Sequence, residues 1–246
     1  MLGLPDTVQA CLFDLDGVVT KTALVHAAAW KEMFDEFLRE WAARHGTEFV
    51  PFDKVHEYDR YVDGKPRLDG TRSFLKARGI DLPEGSPDDP PTARTVNGLS
   101  NRKNTLVLEM IDKHGVQVYD GSVTYIKAVR AAGLRTAVVS SSANTVQVLR
   151  VAGLTDLFDA RIDGVVAKQR GLAGKPAPDT FLAGAAALGV ARAHAVVFED
   201  ALAGVEAGRA GQFGLVVGVN RTGQAAELAE HGADIVVDDL GELLKR

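Results

Sequence analysis

The sequence predicts an α/β fold: a Rossmann-like parallel sheet with helices on both faces and an inserted α-helical cap domain. Short apolar runs such as Val8–Phe13 and Leu134–Val139 have the length of buried strands. After Gly121 such runs alternate with helical patterns, which is typical of a parallel sheet covered on both sides. A mostly helical stretch, residues 23–108, interrupts this alternation after the first strand.

The insert contains several helical patterns and one irregular stretch. Apolar residues recur at helical spacing from Ala23 to His45, and Gly46 is a stop signal. Residues 53–79 hold two shorter helical patterns. Residues 81–100 are rich in proline and glycine without periodicity, so we expect a surface loop there. A helix is expected again over Asn104–His114.

The second half of the chain supplies the rest of the sheet. Helices are predicted at Ser122–Ala132, Ala143–Ala152, Pro178–Leu188, Ala201–Ala210 and Gln224–His231, and strands at Leu134–Val139, Ala195–Phe198, Leu215–Val219 and Asp234–Val237. We therefore expect a catalytic core formed by residues 1–22 and 109–246, with residues 23–108 as the cap.

Composition and charge exclude several classes of protein. The 246 residues carry a net charge of −5, which gives no electrostatic footprint for nucleic acid. The single cysteine, Cys11, cannot form an internal disulfide, and residues 1–10 contain no basic segment typical of a signal peptide. No apolar run approaches the roughly 18 residues of a membrane span. We expect a cytoplasmic protein.

Common catalytic fingerprints are absent from the sequence. No two glycines have the G-x-G spacing of dinucleotide-binding loops, and the P-loop and nucleophile-elbow patterns are missing. The histidines form no i, i+4 pair of the kind that binds zinc. The chemistry must therefore come from another arrangement.

Polar residues follow the apolar strands at the points where these end. Asp14 and Asp16 follow the first strand, and Ser140 follows the second. Lys175 precedes a predicted helix, and Glu199-Asp200 follows a later strand. Because ligands of open parallel sheets bind at the carboxyl ends of the strands, these groups are expected to converge.

The residue types in this set indicate phosphoryl transfer. Asp14, Asp16 and Asp200, with Glu199, would form an all-oxygen cluster suited to Mg²⁺. Lys175 and the Ser140 hydroxyl would offset the charge of a phosphate. A carboxylate nucleophile, a hard cation, a lysine and a hydroxyl together suit a reaction through an aspartyl-phosphate.

Each group also has an ordinary structural interpretation. Asp-x-Asp-Gly occurs in surface turns, the serines could cap a helix, and Glu199-Asp200 could be favourable acids in a first helical turn. A calcium loop is excluded, because Gly17 occupies its fourth position rather than its sixth. The ordinary interpretations hold for single groups, but their joint occurrence at strand ends favours a site.

These residues resemble the motifs of the haloacid dehalogenase superfamily of aspartate-nucleophile phosphatases and phosphomutases. Phe13-Asp14-Leu15-Asp16-Gly17-Val18 resembles the first motif, and Ser140, Lys175 and Glu199-Asp200 resemble the next three. Within the superfamily the chain is most similar to the β-phosphoglucomutase group. This similarity rests on Thr22, His26, Gly64-Lys65-Pro66-Arg67, Arg102-Lys103-Asn104, Ser142, Asn144 and the run Gly174–Asp179.

The resemblance implies a role for each matching position. Asp14 would be the phosphorylated nucleophile and Asp16 the general acid and base, while Ser140 and Lys175 would hold the transferring group. Mg²⁺ would be bound by Asp14, the Asp16 carbonyl, Glu199 and Asp200. Substrate would be bound by His26, Gly64, Arg67, Lys103, Ser142 and Asn144. The chain departs from the group at Lys21, Gly70 and Ala143, where aspartate, serine and lysine are common.

The implied activity is conversion of β-glucose 1-phosphate to glucose 6-phosphate through an aspartyl-phosphate. A sugar-phosphate phosphatase of the same superfamily, in which water takes the phosphoryl group from Asp14, is the alternative. A receiver-type module would also use an aspartate and Mg²⁺ but needs neither a cap nor Asp16 as an acid. We expect a monomer that acts on a small phosphorylated sugar and binds neither nucleic acid nor a membrane.

Overall fold

The computed structural model describes residues 2–245 and divides the chain into two compact units. The sheet unit comprises residues 1–22, 64–66 and 116–246, and the helical unit comprises residues 23–63 and 67–115. The terminal residues Met1 and Arg246 of the predicted core lie outside the described range.

The sheet unit is built on six parallel strands, which confirms the predicted fold class. They are β1 (Ala10–Phe13), β2 (Arg135–Val139), β3 (Ala160–Ile162), β4 (Ala195–Glu199), β5 (Leu215–Val219) and β6 (Ile235–Val237). Their order across the sheet is β3-β2-β1-β4-β5-β6. Strands β2 and β3 thus lie on one side of β1, and β4 to β6 lie on the other. Because the strand order reverses at β1, a crevice is expected at the carboxyl ends of β1 and its neighbours.

Helices cover both faces of the sheet because successive side chains of a strand point to opposite sides. Leu12 of β1 belongs to an apolar cluster that includes Phe181. The next residue, Phe13, stacks on Phe198 with ring centroids 4.5 Å apart and meets Tyr125 edge-on. The helices of this unit are α4 (Asp120–Ala131), α5 (Thr145–Val151), α6 (Gly164–Arg170), α7 (Asp179–Ala187), α8 (Leu202–Ala210) and α9 (Ala225–Glu230).

The helical unit has its own aromatic core. It contains α1 (Thr22–His45), a π-helical turn (Tyr58–Val62), α2 (Arg67–Ala77) and α3 (Val96–His114). Thr22, the first residue of α1, still belongs to the sheet unit. The ring of Phe34 lies 4.0 Å from that of Phe74 and 5.2 Å from that of Phe52, measured between centroids. Within residues 2–245, no helix is long and apolar enough to cross a bilayer.

The loop predicted over residues 81–100 is wrong at its C-terminal end, because α3 begins at Val96. The Thr95 side chain caps this helix by accepting a hydrogen bond from the Gly98 N–H at 2.9 Å. A Cβ at Gly98 would lie 2.3 Å from the Ala93 carbonyl oxygen. This glycine permits a close backbone approach inside the helix, whereas the sequence suggested an irregular segment.

The edge strand β3 and helix α6 were not predicted. Strand β3 has only three residues, and its central residue, Arg161, is exposed, so no apolar run marks it. Asp163 caps α6 by accepting hydrogen bonds from the backbone N–H groups of Val165 and Val166. The sequence signal for α6 is therefore Asp163 at its N-cap.

Candidate active site

Asp14 lies directly after β1 and is paired with Lys175. The Lys175 ammonium lies 2.5 Å from Asp14 Oδ1 and 2.5 Å from Glu199 Oε1, and it donates to the Val139 carbonyl at 3.2 Å. All three charged residues are buried. One lysine thus contacts the carboxyl ends of β1, β2 and β4.

The two carboxylates share one ammonium, and their titration reflects this. Burial raises the pKa of Asp14 to about 6 and that of Glu199 to about 7, although the charge of Lys175 opposes both shifts. Burial lowers the pKa of Lys175, but the charges of Asp14 and Glu199 outweigh this effect and raise it above its ordinary value. The site therefore keeps its lysine charged and has an excess of negative charge.

Three buried carboxylates are close enough to bind one cation. Asp14, Glu199 and Asp200 each offer a carboxylate oxygen, and these atoms lie within 4.8 Å of one another. Glu199 Oε2 is oriented by the backbone N–H groups of Asp200 and Ala201 at 3.0 and 3.1 Å. An all-oxygen donor set of this kind fits a hard divalent metal ion.

The Asp16 carboxylate accepts hydrogen bonds from two hydroxyls. Thr22 Oγ1 donates to Asp16 Oδ1, and Ser140 Oγ donates to Asp16 Oδ2 at 3.2 Å. Thr20 Oγ1 lies 2.6 Å from Thr22 Oγ1 and extends the hydroxyl chain. These hydroxyls hold the Asp16 carboxylate in a defined position close to Asp14.

The segment after β2 forms a hydrogen-bonded loop rather than a helix cap. Ser140 Oγ accepts from the Ser142 N–H at 3.0 Å, and Ser142 Oγ accepts from the Asn144 N–H at 3.1 Å. The Ser142 carbonyl accepts from Thr145 Oγ1 at 3.0 Å. Helix α5 begins only at Thr145. The structure thus brings the predicted residues Ser140, Ser142 and Asn144 together in one turn.

Gly64–Pro66 belongs to the sheet unit although the flanking sequence belongs to the helical unit. The Gly64 carbonyl accepts from Ser141 Oγ at 2.7 Å. A Cβ at Gly174 would lie 2.1 Å from Pro66 Cγ, so the segment also fits closely against the loop that carries Lys175. Gly64 is thus near the loops of Ser140 and Lys175.

The remaining predicted residues lie in the helical unit. Lys103 is only 4% exposed, and its ammonium lies 2.6 Å from His26 Nδ1 and 4.8 Å from the Trp30 ring centroid. Burial lowers the pKa of His26 well below its ordinary value, and Lys103 and Arg67 lower it further. The imidazole is therefore neutral and accepts from Lys103. Arg67 Nη1 donates to Asn104 Oδ1 at 2.5 Å.

Two residues near these loops were not predicted. Arg221 and Gln224 follow β5 and hydrogen-bond to the backbone of the Gly17 and Asp200 loops. Arg221 follows shortly after the apolar strand that ends at Val219, and this position is the sequence signal for it.

Comparisons with known proteins show the family of this chain. A family model described as haloacid dehalogenase-like hydrolase matches residues 8–212. A Mycobacterium bovis protein named β-phosphoglucomutase is 59% identical over 99% of this chain and 94% of its own length. A Bacillus subtilis protein of the same name is 30% identical over 96% of this chain and 92% of its own.

A solved structure supports the same assignment at the level of the fold. The crystal structure of β-phosphoglucomutase from Clostridium difficile matches with a TM-score of 0.73 and 25% sequence identity. The match covers 96% of this chain and 93% of that one. The resemblance seen in the sequence is confirmed: this chain belongs to the haloacid dehalogenase-like hydrolase family.

Proposed function

We propose that this chain is a Mg²⁺-dependent phosphomutase that converts β-glucose 1-phosphate to glucose 6-phosphate through a phosphorylated Asp14. The observation that carries the proposal is the buried Asp14 carboxylate, which is paired with Lys175 and grouped with Glu199 and Asp200. The choice of a mutase is supported by the 59% identical relative named β-phosphoglucomutase.

Asp14, Glu199 and Asp200 would hold the Mg²⁺ ion, together with the backbone carbonyl of Asp16. When bound, the ion would offset the charge of the transferring phosphoryl group. The Lys175 ammonium and the Ser140 hydroxyl would bind the same group, since both already lie beside Asp14 and Asp16. These side chains are positioned before substrate arrives, which lowers the reorganisation needed in the transition state.

The first transfer leads from phosphorylated Asp14 to the 6-hydroxyl of β-glucose 1-phosphate. Asp16 takes the proton of that hydroxyl as its oxygen bonds to phosphorus, and the bond between phosphorus and the Asp14 oxygen breaks. The product is the 1,6-bisphosphate, and Asp14 is again a carboxylate. Thr22 and Ser140 hold the carboxylate of Asp16 in position for this proton transfer.

The second transfer uses the same groups in reverse. After the bisphosphate turns around, Asp14 attacks the phosphorus at position 1, and Asp16 returns its proton to the departing sugar oxygen. Glucose 6-phosphate leaves, and phosphorylated Asp14 is restored. The two steps balance, so the cycle consumes only β-glucose 1-phosphate once the enzyme has been phosphorylated.

We propose that the sheet unit is the catalytic core and that the helical unit is a cap that excludes water from the phosphorylated enzyme. We place the second boundary after Gly115 rather than after residue 108, because α3 continues to His114. His26, Arg67 and Lys103 would bind the substrate from the cap, with Gly64, Ser142 and Asn144 from the core. We also propose that the chain acts as a cytoplasmic monomer.

The experiment supplies β-glucose 1-phosphate, Mg²⁺ and a trace of glucose 1,6-bisphosphate, and it follows glucose 6-phosphate and free phosphate together. Asp14→Asn is the matched control. A mutase would form glucose 6-phosphate without releasing an equivalent amount of free phosphate. Release of phosphate with little glucose 6-phosphate would identify a phosphatase. If neither glucose 6-phosphate nor free phosphate formed, the sugar assignment would be overturned.

A further inference from the structure

The side chain of Arg221, which follows β5, hydrogen-bonds to the turn after Asp14. Its Nε donates to the Gly17 carbonyl at 2.7 Å, and its Nη2 donates to the Val18 carbonyl at 3.3 Å. Only 13% of this side chain is exposed. A guanidinium that bonds two successive carbonyls fixes the path of that backbone, since its planar donors have a fixed geometry.

The guanidinium is itself held in place. It lies 3.5 Å from the centroid of the Tyr119 ring, and Nη1 donates to the Asp238 carbonyl at 2.8 Å. The Tyr119 N–H in turn donates to the Val19 carbonyl at 3.0 Å. Arg221 therefore joins the turn after β1 to the segments that contain Tyr119 and Asp238, rather than lying freely at the surface.

The same short loop also holds the backbone of the fourth motif. The side chain of Gln224 is buried, and its Nε2 donates to the Asp200 carbonyl at 2.9 Å. The two motif loops touch each other at Gly17, which has φ +100° and where a Cβ would lie 1.7 Å from Asp200 Oδ2. Little space separates them, so a small displacement of either loop changes the separation between their side chains.

We propose that Arg221 and Gln224 are positioning residues that set the separation of the Asp14 and Asp200 carboxylates and thereby the affinity of the site for a divalent cation. The paired register of β1 and β4 ends at Phe13 and Phe198, and one further backbone hydrogen bond joins the strands, from the Asp14 N–H to the Phe198 carbonyl at 2.9 Å. Both carboxylates lie beyond the paired residues. The loop of residues 220–224 bonds to the backbone near each of them, through Arg221 at Gly17 and through Gln224 at Asp200. The inference rests on the proposed function only in assigning a metal ion to these carboxylates.

The test is a titration with Mn²⁺, in which the free ion is followed by electron paramagnetic resonance in the absence of substrate. Arg221→Met and Gln224→Met are compared with the wild type. Arg130→Met is the matched control, because Arg130 also donates to a carbonyl and a carboxylate of the sheet unit, at Leu157 and Asp159. We expect each of the first two variants to weaken Mn²⁺ binding by about tenfold, and Arg130→Met to leave it unchanged.

Arg221→Lys keeps a cation beside Tyr119 but cannot bond the Gly17 and Val18 carbonyls together in the same way. Its affinity for Mn²⁺ is therefore expected to lie between those of the wild type and Arg221→Met. If Arg221→Met does not fold, Arg221→Lys and Gln224→Met decide the question in the same titration. Mn²⁺ affinities no weaker than that of Arg130→Met would overturn the inference. Failure of the wild type to bind Mn²⁺ would overturn it together with the metal site, whereas the sugar assignment is decided separately by the product assay.

Discussion

The Lys175 ammonium lies 2.5 Å from Asp14 Oδ1 and equally close to Glu199 Oε1. This lysine is separated from Asp14 by 161 positions in the sequence, yet it is the counter-charge of that carboxylate in the structure. It neutralises part of a crowded acidic site, and in the proposed reaction it would also donate to the transferring phosphoryl group.

Replacing Lys175 with methionine tests both functions. We expect the rate of phosphoryl transfer to fall by about a hundredfold to a thousandfold, as for removal of one donor to a developing charge. Lys127→Met, at an exposed position of α4, is the control. The metal-free Lys175→Met protein should also lose about 3 kcal/mol of unfolding free energy at neutral pH, because two buried carboxylates lose their partner.

The pH dependence of that loss has a definite sign. Without the ammonium, the pKa values of Asp14 and Glu199 rise further, so the folded state binds more protons than the unfolded state as the pH falls. The destabilisation of Lys175→Met should therefore shrink between about pH 8 and pH 5.5. Thermal unfolding at both values measures it, and a loss that grows on acidification would contradict the ion pair.

Asp16→Asn should lower the rate of the sugar-phosphate reaction by about a hundredfold to ten-thousandfold, since it removes the proposed general acid and base. An acyl phosphate, whose leaving group needs no proton, should phosphorylate Asp14 in this variant with a smaller loss. Thr22→Val removes the hydroxyl that donates to Asp16 and should have a weaker effect of the same kind. Unchanged turnover of the sugar phosphate by Asp16→Asn would contradict the acid and base role of Asp16.

Binding of a divalent cation should weaken as the pH falls below about 7. The pKa values of Asp14 and Glu199 are raised to about 6 and about 7, and both groups must lose their protons to bind a metal ion. Calorimetry in buffers of different ionisation enthalpy would detect more proton release at pH about 6.5 than at pH about 8. Proton release that is absent at both values would show that these carboxylates have ordinary acidity.

Lys103→Met should raise KM for the sugar phosphate more than it lowers kcat. Lys103 is buried in the helical unit between His26 and Trp30, and its proposed contact is with the substrate rather than with Asp14. Phosphorylation of Asp14 by acetyl phosphate, which lacks the sugar, should change little. Lys113→Met, at an exposed position of the same helix, is the control. An equal loss with both phosphoryl donors would place Lys103 in the chemistry itself.

The sequence was sufficient to predict the central strands and the polar residues that follow them. Asp14, Ser140 and Glu199 were found because each stands where a continuous apolar run stops. Strand β3 escaped detection because its short edge segment has an exposed arginine at its centre. The start of α3 was missed because a tight backbone approach at Gly98 looks like a helix break in sequence.

The partners of the site residues could not be read from the sequence. Nothing in the local pattern shows that Thr22 donates to Asp16 or that Arg221 bonds to the turn at Gly17, because these contacts join distant segments or depend on loop geometry. The buried position of Lys103 likewise depends on how α1 and α3 pack, whereas a helical lysine is ordinarily exposed.

The central claim is that the phosphoryl group passes through Asp14, and the most direct measurement is to trap it there. The protein would be mixed with Mg²⁺ and radiolabelled glucose 1,6-bisphosphate, quenched in acid and mapped by peptide mass spectrometry. We expect label on Asp14 that is absent from Asp14→Asn and that moves into glucose phosphates when β-glucose 1-phosphate is added. Label on another residue, or active turnover by Asp14→Asn, would contradict it.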